Sequence, residues 1–227
     1  INNSWKKLKT KNYLNIIKSI KEKGYVIVDD FQLEKTFKKK HISSISKSIN
    51  ILENKDKNSL YGGKDYLKFV DISKIPKPIL KNFYEYFTSD FFIDLTRTYF
   101  GEEPLLTEIS LLVSPKTNKR KLNIYKGSQC WHSDFADTKI LKFFIYLDDV
   151  LKESGPLEII DKINTKRILK ANNYRWGGTK SHDDSLVPEE FSKYNSLIAD
   201  KGSIVIADTV SCLHRGSRNP EKQRLIL

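Results

Sequence analysis

The chain changes character near residue 105, and this change constrains the fold more than any other feature of the sequence. Before it, apolar residues recur at helical spacing in three stretches, residues 5–23, 34–52 and 78–100. One short β-rich run, "YVIVDDF", follows the first of them. After residue 105, short β-branched or aromatic runs lie between turn signals, at 105–114, 142–150, 156–160, 202–208 and 223–227. This order predicts an α+β fold in which the strands form a sandwich or barrel.

The chain is predicted to form one domain over residues 1–227. This length is enough for one sizeable core, and the sequence shows neither an internal repeat nor a linker. Residues 1–104 would form a helix-rich part with one early strand, and residues 105–227 the strand core. The stretch 161–200 separates two groups of predicted strands. It contains "YRWGGTKSHDDSLVP", which is too long for an ordinary turn. We expect a lid or substrate loop there.

Composition excludes several classes of protein. Apolar residues make up 39% and aromatic residues 11% of the chain, which is typical of an ordered globular protein. No apolar run approaches the length of a membrane span, and residues 1–20 lack the unbroken apolar segment of a signal peptide. Two cysteines make a disulfide framework improbable, so we expect a cytoplasmic protein in a reducing environment.

The formal net charge of +12 has two interpretations. It fits an anionic partner, either a nucleic acid or an anionic small-molecule or carrier-bound substrate. It also fits a solvated lysine surface, because the excess lysines are scattered among Asn and Ile residues. The basic runs "FKKKH" (37–41) and "KTNKRK" (116–121) are not interleaved with aromatic residues that could stack on bases. We therefore favour the solvated surface over a nucleic-acid interface.

The sequence "QCWHSD", which ends at Asp134, holds the first candidate site residues. Side chains two apart on a strand point the same way, so His132 and Asp134 would project together if this segment is extended. An imidazole and a carboxylate side by side can bind one divalent cation. The third ligand would come from His41, His182 or His214. His214 follows the β-rich run "DKGSIVIADTVSCLH", as a ligand at the end of a neighbouring strand would.

Two histidines and one carboxylate form the facial triad of non-haem Fe(II) oxygenases, which leaves the opposite side of the ion open. Arg224 lies ten positions after His214, in the terminal β-like run "QRLIL". A guanidinium near the metal is suited to hold the far end of a dicarboxylate with paired hydrogen bonds, while the near end chelates the ion. These residue types therefore indicate an oxygenase site.

Three segments together are similar to one known family. "QCWHSD", "KFFIYLDDVLKESGPLEII" and "SCLHRGSRNPEKQR" resemble the phytanoyl-CoA dioxygenase-like family of Fe(II)/2-oxoglutarate-dependent oxygenases. That family has a Gln before a His-x-Asp pair, an apolar strand ending in Asp, a Gly-Pro, and a distal His followed at a short distance by an Arg. "KEKGYVIVDDF" resembles its opening helix–Gly–strand, so the resemblance covers nearly the whole chain.

The resemblance implies a double-stranded β-helix (jelly-roll) core with helices packed outside, mostly from the N-terminal half. It implies Fe(II) bound by His132, Asp134 and His214, with 2-oxoglutarate as cosubstrate held by Arg224. The protein would be a dioxygenase that hydroxylates a C–H bond of a small or carrier-bound substrate and decarboxylates 2-oxoglutarate to succinate. The halogenating relatives have a small residue in place of the carboxylate, so Asp134 argues for hydroxylation or a related oxidation.

Two further positions are candidates for contacts with the cosubstrate. Gln129 would lie near the metal ligands, either to orient cosubstrate or substrate or simply to pack. The family often has a small hydroxyl residue two positions after the distal histidine, where this chain has Gly216. Ser217, one residue further on, is the candidate to replace it.

Two other functions compete with the oxygenase. Cys130 and Cys212 each stand two residues before a candidate histidine, and two Cys with two His form a tetrahedral structural zinc set. That hypothesis gives Asp134 and Arg224 no role, so we favour cysteines that pack as small apolar side chains beside the site. The second alternative is a non-catalytic basic module that binds nucleic acid or another anionic ligand on a jelly-roll scaffold.

Overall fold

The computed structural model describes residues 11–28, 60–64, 66–71, 73, 75–116, 125–174, 184–188, 193–216, 218 and 221–227. The described helices are α1 (Lys11–Lys23), α2 (Lys77–Phe87), α3 (Asp90–Phe100) and α4 (Lys162–Ala171). The described strands are β1 (Tyr25–Val28), β2 (Leu60–Lys64), β3 (Leu67–Val70), β4 (Leu112–Ser114), β5 (Lys142–Ile145), β6 (Glu158–Ile159), β7 (Asn195–Ser196), β8 (Ile204–Ala207), β9 (His214–Arg215) and β10 (Arg224–Ile226). Among these helices, none has the length and hydrophobicity that a transmembrane segment needs.

Several sequence predictions fall on positions outside the described residues. They are the helix at 34–52, the basic run at 37–41 and most of the run at 116–121, together with His41, His182 and Ser217. The described residues do not test these predictions.

The strands form three antiparallel sheets, in the orders β1-β8-β5, β10-β4-β3-β2 and β7-β6-β9. The first two sheets are joined edge to edge, because Tyr146 beyond β5 pairs with Ile226 of β10 and Ile145 exchanges two backbone hydrogen bonds with Leu227. The third sheet is extended at β9 by the pairing of His132 with His214. The α+β prediction is confirmed, with one large and one small antiparallel layer.

Strand β5 separates two cores by simple alternation of its side chains. Phe143 and Ile145 pack with the apolar faces of α1, α2 and α3, which cover the outer side of the large sheet. Phe144 and Tyr146 point to the opposite side, into a second apolar cluster that contains Val205. The candidate site lies on this second side of the sheet, so the outer helices support the strands without entering the site.

Helix α1 confirms the described part of the helix predicted at 5–23. Ile16, Ile17 and Ile20 are buried on one face, as their spacing requires. Gly24 ends the helix with a φ of +92°, and its N–H donates to the Ile20 carbonyl at 2.9 Å. The left-handed residue turns the chain directly into β1, which pairs with β8.

Three sequence predictions were too long, and one of them is the strand at 142–150, of which only Lys142–Ile145 forms β5. The stretch 78–100 forms two helices, because Ser89 is extended (φ −68°, ψ 151°) and acts as the N-terminal boundary of α3. In 105–114 only Leu112–Ser114 forms a strand. The Leu105 side chain is 83% exposed, so an apolar sequence there does not make a buried strand.

The stretch 161–200 was predicted as a lid or substrate loop, but its first part is helix α4. Asp161 caps this helix by accepting a hydrogen bond from the Asn164 N–H at 2.8 Å. Ile168 is fully buried against Trp131 and Ile160. A role as lid stays a prediction for the remainder, of which 175–183 and 189–192 lie outside the described residues.

Candidate metal centre

Three side chains that are far apart in the sequence meet on the inner side of the strands. His132, Asp134 and His214 each place a potential ligand atom within 4.8 Å of the others. Among the described residues, no other group of three or more His, Cys, Asp and Glu side chains has this geometry. Both histidines are buried and the aspartate is half-buried. The structure therefore brings together the three predicted ligands, in the donor set of a non-haem Fe(II) site.

A backbone pair brings the two histidines together. The His132 N–H donates to the His214 carbonyl at 3.1 Å, and the His214 N–H donates to the His132 carbonyl at 2.9 Å. Residues that face each other in this way in an antiparallel pair project their side chains to the same side. The imidazole centroids accordingly lie 4.2 Å apart. The sequence predicted His214 at the end of a neighbouring strand. It does pair with the segment of His132, but it begins β9, after the turn that follows β8.

Both imidazoles are oriented by a main-chain carbonyl. His132 Nδ1 lies 2.9 Å from the Cys130 oxygen, and His214 Nδ1 lies 3.0 Å from the Cys212 oxygen. Because a carbonyl can only accept, Nδ1 must be the protonated nitrogen of each ring. In the neutral imidazole Nε2 then carries the lone pair that a metal ion requires. The repeated Cys-x-His spacing thus serves the site through backbone oxygens.

The zinc hypothesis is wrong for the described residues, because neither thiol joins the group of possible ligands. Cys212 lies in the turn before β9, so the strand alternation that would place it beside His214 does not apply. Its thiol packs against Gly24 and lies 3.5 Å from the Lys23 carbonyl oxygen. Cys130 is also buried, and the two cysteines form no disulfide.

Asp134 lies in a strongly cationic environment. Its Oδ2 atom is 2.6 Å from Lys142 Nζ and 3.9 Å from His214 Nε2. Burial raises the pKa of the Asp134 carboxyl, but a protonated His214 and the Lys142 ammonium together outweigh burial and lower this pKa. The carboxylate is therefore ionised at neutral pH, which is the form that binds a cation.

The turn between β8 and β9 supports both Asp134 and His214. The Asp134 N–H donates to the Thr209 carbonyl at 2.9 Å. The preceding residue, Asp208, accepts a hydrogen bond from Tyr99 Oη at 2.5 Å and pairs with Lys162 Nζ at 3.0 Å. Since Tyr99 belongs to α3 and Lys162 to α4, this cluster ties these two helices to the turn.

Arg224 is 4% exposed and lies at the start of β10. Its Nη2 donates to Ser114 Oγ at 3.3 Å, and Ser114 is its direct partner in the pairing of β10 with β4. A Cβ built on Gly216 would lie 3.7 Å from the same Nη2, so residue 216 is a close neighbour of the guanidinium. Burial lowers the pKa of the Arg224 guanidinium, and the nearby Tyr146 opposes this effect.

Gln129 lies at the end of a short 3-10 helix, Gly127–Gln129, and so does not belong to an extended segment with His132. Its side chain is buried, and Oε1 accepts a long hydrogen bond of 3.5 Å from the Lys126 N–H. This contact is local and caps the turn that leads into His132. A role toward the cosubstrate stays a prediction for Gln129.

Two residues of the site were missed by sequence reasoning, Lys142 and Ser114. Strand alternation carried a signal for Lys142, because it stands two and four residues before the inward Phe144 and Tyr146. No local pattern could reveal Ser114, because its position beside Arg224 depends on the register of two strands that are distant in sequence.

Ion pairs and aromatic contacts fix the residues that follow the ligands. Arg215 Nε lies 2.6 Å from Glu158 Oε2, and its guanidinium carbon lies 4.2 Å from the centre of the Trp131 ring. Arg218 Nη2 lies 2.6 Å from Asp184 Oδ2, and Arg215 Nη1 lies 3.3 Å from Oδ1 of the same carboxylate. Both arginines are thus paired within the protein, and they hold the 3-10 helix Asp184–Leu186 beside the strands.

Comparison with known proteins gives a result at the level of structure alone. No protein-family model matches the chain, and no curated protein matches it. Solved structures do match. The epimerase SnoN, in complex with Fe³⁺, alpha ketoglutarate and nogalamycin RO, has 13% identity and a TM-score of 0.59, over 95% of this chain and 81% of that one.

Two further similar structures also contain the cosubstrate. EctD from S. alaskensis, with 2-oxoglutarate and 5-hydroxyectoine, has 14% identity and a TM-score of 0.57, over 92% of this chain and 72% of that one. HygX from Streptomyces hygroscopicus, with nickel and 2-oxoglutarate bound, has 15% identity and a TM-score of 0.57, over 96% and 84%. At these identities the likeness establishes a shared fold, and function has to be argued from the site.

Proposed function

We propose that the protein is an Fe(II)- and 2-oxoglutarate-dependent oxygenase. The observation that carries the proposal is the convergence of His132, Asp134 and His214, with both imidazoles held in the tautomer that offers Nε2. Two histidines and one carboxylate fit an Fe(II) ion that keeps open positions for other ligands. The shared fold supports the proposal, since SnoN, EctD and HygX were each crystallised with 2-oxoglutarate.

The chain's own residues would hold the metal and the cosubstrate in fixed positions. His132 and His214 bind the metal through Nε2, and Asp134 binds it through a carboxylate oxygen. Bound iron and 2-oxoglutarate supply the oxidation by O₂, in which 2-oxoglutarate is decarboxylated to succinate. The protein supplies ligand atoms, orientation and a site from which bulk water is largely excluded.

Arg224 would hold the distal carboxylate of 2-oxoglutarate. A buried guanidinium attracts an anion more strongly than an exposed one, because the surrounding dielectric constant is lower and less water competes. The Ser114 hydroxyl, 3.3 Å from Nη2, can donate to the same carboxylate. In this proposal Ser114 supplies the hydroxyl that Gly216 cannot, while contacts from Gln129 and Ser217 stay predictions.

We further propose that the reaction is hydroxylation of a C–H bond in a small or carrier-bound substrate. The net charge of +12 favours an anionic one. SnoN is described as an epimerase, whereas EctD was crystallised with a hydroxylated compound, so this fold accommodates more than one outcome. Membership of the phytanoyl-CoA dioxygenase-like family and closure of the two layers into a double-stranded β-helix belong to the same proposal. So does a cytoplasmic, reducing location.

The proposal is tested by measuring succinate formation from 2-oxoglutarate with added Fe(II) and O₂. Wild type is expected to turn over, and His132→Ala and Asp134→Ala are expected to be inactive. Asp137→Ala is the matched control, because Asp137 is an exposed neighbour of the same loop. Full activity in either ligand variant would overturn the assignment. A non-catalytic basic module would instead show no turnover and would bind nucleic acid with a steep dependence on salt.

A further inference from the structure

We propose that Lys142 is a built-in counter-ion of the metal site, which a divalent cation has to displace from Asp134 when it binds. The inference rests on the proposed function, because it takes Asp134 to be a metal ligand. It goes beyond that function by assigning Lys142 a role in setting the metal affinity of this particular chain.

The first argument is geometric. Lys142 begins β5, opposite Ala207 of β8, on the side of the strand that Phe144 shares. Its Nζ lies 2.6 Å from Asp134 Oδ2. That oxygen is also the one measured at 3.9 Å from His214 Nε2. The ammonium therefore contacts a carboxylate oxygen that lies 3.9 Å from a ligand nitrogen, a position suited to a metal ion shared by the two residues.

The second argument is electrostatic. The Asp134 side chain is only 18% exposed, and a carboxylate buried to this degree requires a cation nearby. Lys142 provides this cation when no metal is bound. A dication bound to the same carboxylate would stand within a few ångströms of the ammonium, and two cations at such a distance repel each other strongly. The metal and Lys142 thus compete for one oxygen.

The third argument is that the Lys142 ammonium can move away from Asp134. Its side chain is 42% exposed, and its charge stands on a flexible four-carbon stem. The ammonium can move into solvent without any change in the strand that carries it. Asp208 and Lys162, in contrast, form a pair whose side chains are 9% and 22% exposed. Lys142 is therefore an exchangeable counter-ion, and it lowers the metal affinity that the triad would have alone.

The test compares Mn²⁺ binding to metal-free wild type, Lys142→Met and Lys142→Arg by isothermal titration calorimetry. Lys142→Met removes the competing charge with little change in side-chain length, so Mn²⁺ should bind about tenfold more tightly or better. Lys142→Arg keeps the charge and should stay near wild type. Lys139→Met is the matched control, because Lys139 pairs with the exposed Glu102. A thermal melt adds a second readout: metal-free Lys142→Met should unfold at a lower temperature than metal-free wild type, and bound Mn²⁺ should remove the difference.

The titration distinguishes a failure of the counter-ion role of Lys142 from a failure of the metal site. If the Mn²⁺ dissociation constants of wild type and Lys142→Met agree within twofold, the counter-ion role is overturned, while the metal site is supported. An equal gain in Lys139→Met would also overturn it, since the effect would then reflect overall charge. If neither wild type nor any variant binds Mn²⁺, the proposed metal site itself falls, and the role of Lys142 falls with it.

Discussion

His132 and His214 face each other across a pair of main-chain hydrogen bonds, 3.1 and 2.9 Å long. The separation of the two imidazoles is therefore fixed by the backbone, and neither ring depends on the other for its position. Each ring is oriented independently by a carbonyl two residues earlier in its own segment. Truncating one histidine should consequently remove one ligand and leave the other in place.

Metal binding should stabilise wild type much more than the two histidine variants. Mn²⁺ at 100 times its dissociation constant adds about 2.7 kcal/mol to the free energy of unfolding. We expect His132→Ala and His214→Ala to lose most of this gain, because two ligands hold the ion weakly. The measurement is thermal unfolding with Mn²⁺ and after removal of the metal with a chelator. Asp137→Ala should respond like wild type, and a full response in both histidine variants would contradict the site.

Arg224→Gln should weaken 2-oxoglutarate binding by about thirtyfold or more, because loss of a buried charged partner costs about 2–5 kcal/mol. Ser114→Ala removes only a neutral hydrogen-bonding group, worth about 1 kcal/mol, and should weaken binding about fivefold. Both values can be obtained by calorimetric titration of the Mn²⁺-loaded protein with 2-oxoglutarate. Unchanged Mn²⁺ affinity in each variant shows that the site is still folded. Wild-type binding of 2-oxoglutarate by Arg224→Gln would exclude the proposed role.

Asp208 should make stability depend on pH in the acid range. Burial raises the pKa of its carboxyl, but hydrogen bonds from Tyr99, the Ser211 backbone and Lys162 outweigh burial and hold the pKa below its usual range. The unfolded chain therefore takes up the proton at a higher pH than the folded chain. The stabilisation is complete above the unfolded pKa of about 4 and is lost as the pH falls through the folded value.

Asp208→Asn should accordingly lose about 1–3 kcal/mol of stability at pH 7, since its amide can still accept from the Ser211 N–H but places an NH2 group where Oδ2 contacts Tyr99 and Lys162. Below about pH 4 its stability should fall less steeply than that of wild type. Urea unfolding at a series of pH values measures both effects. Asp200→Asn, at an exposed position, should follow wild type throughout. Parallel pH curves for wild type and Asp208→Asn would show that this carboxylate does not carry the dependence.

Gly24→Ala should destabilise the protein more than Gly101→Ala, although φ is positive at both positions (+92° and +75°). A left-handed backbone alone costs a residue with a Cβ about 1–2 kcal/mol. A Cβ at Gly24 would also overlap the Cys212 thiol and press on the Lys162 stem, whereas a Cβ at Gly101 meets nothing within 4 Å. Overpacking adds about 1–3 kcal/mol. Urea unfolding of the two variants measures the difference, and equal losses would contradict the packing around Gly24.

The periodic parts of the fold were accessible from the sequence. The apolar run that starts at residue 142 predicts a strand, and helical spacing at Ile16, Ile17 and Ile20 predicts a buried helix face; the structure has both. The ligand triad was also accessible, because His-x-Asp and a distal His depend on residue type and order. Boundaries were less accessible. Ser89 divides a helical stretch by its local conformation, and the apolar Leu105 lies exposed in a segment without a strand.

The contacts that depend on register could not be predicted. Ser114 reaches Arg224 only because β4 and β10 pair in one particular alignment. Cys212 and Cys130 looked alike in sequence, yet one thiol packs on Gly24, and it is the carbonyls of both that contact the histidines. Such facts follow from the path of the chain between elements, which side-chain patterns do not encode.

Because the main-chain carbonyls of Cys130 and Cys212 orient the two rings, positions 130 and 212 can be substituted without losing these acceptors. Every amino acid brings the same oxygen, so the acceptors that hold the two rings survive any replacement that fits the available volume. Exchange of these residues for alanine or serine would leave proton placement on the rings intact. The tautomer of both histidine ligands is thereby set by main-chain oxygens, which a point mutation does not remove.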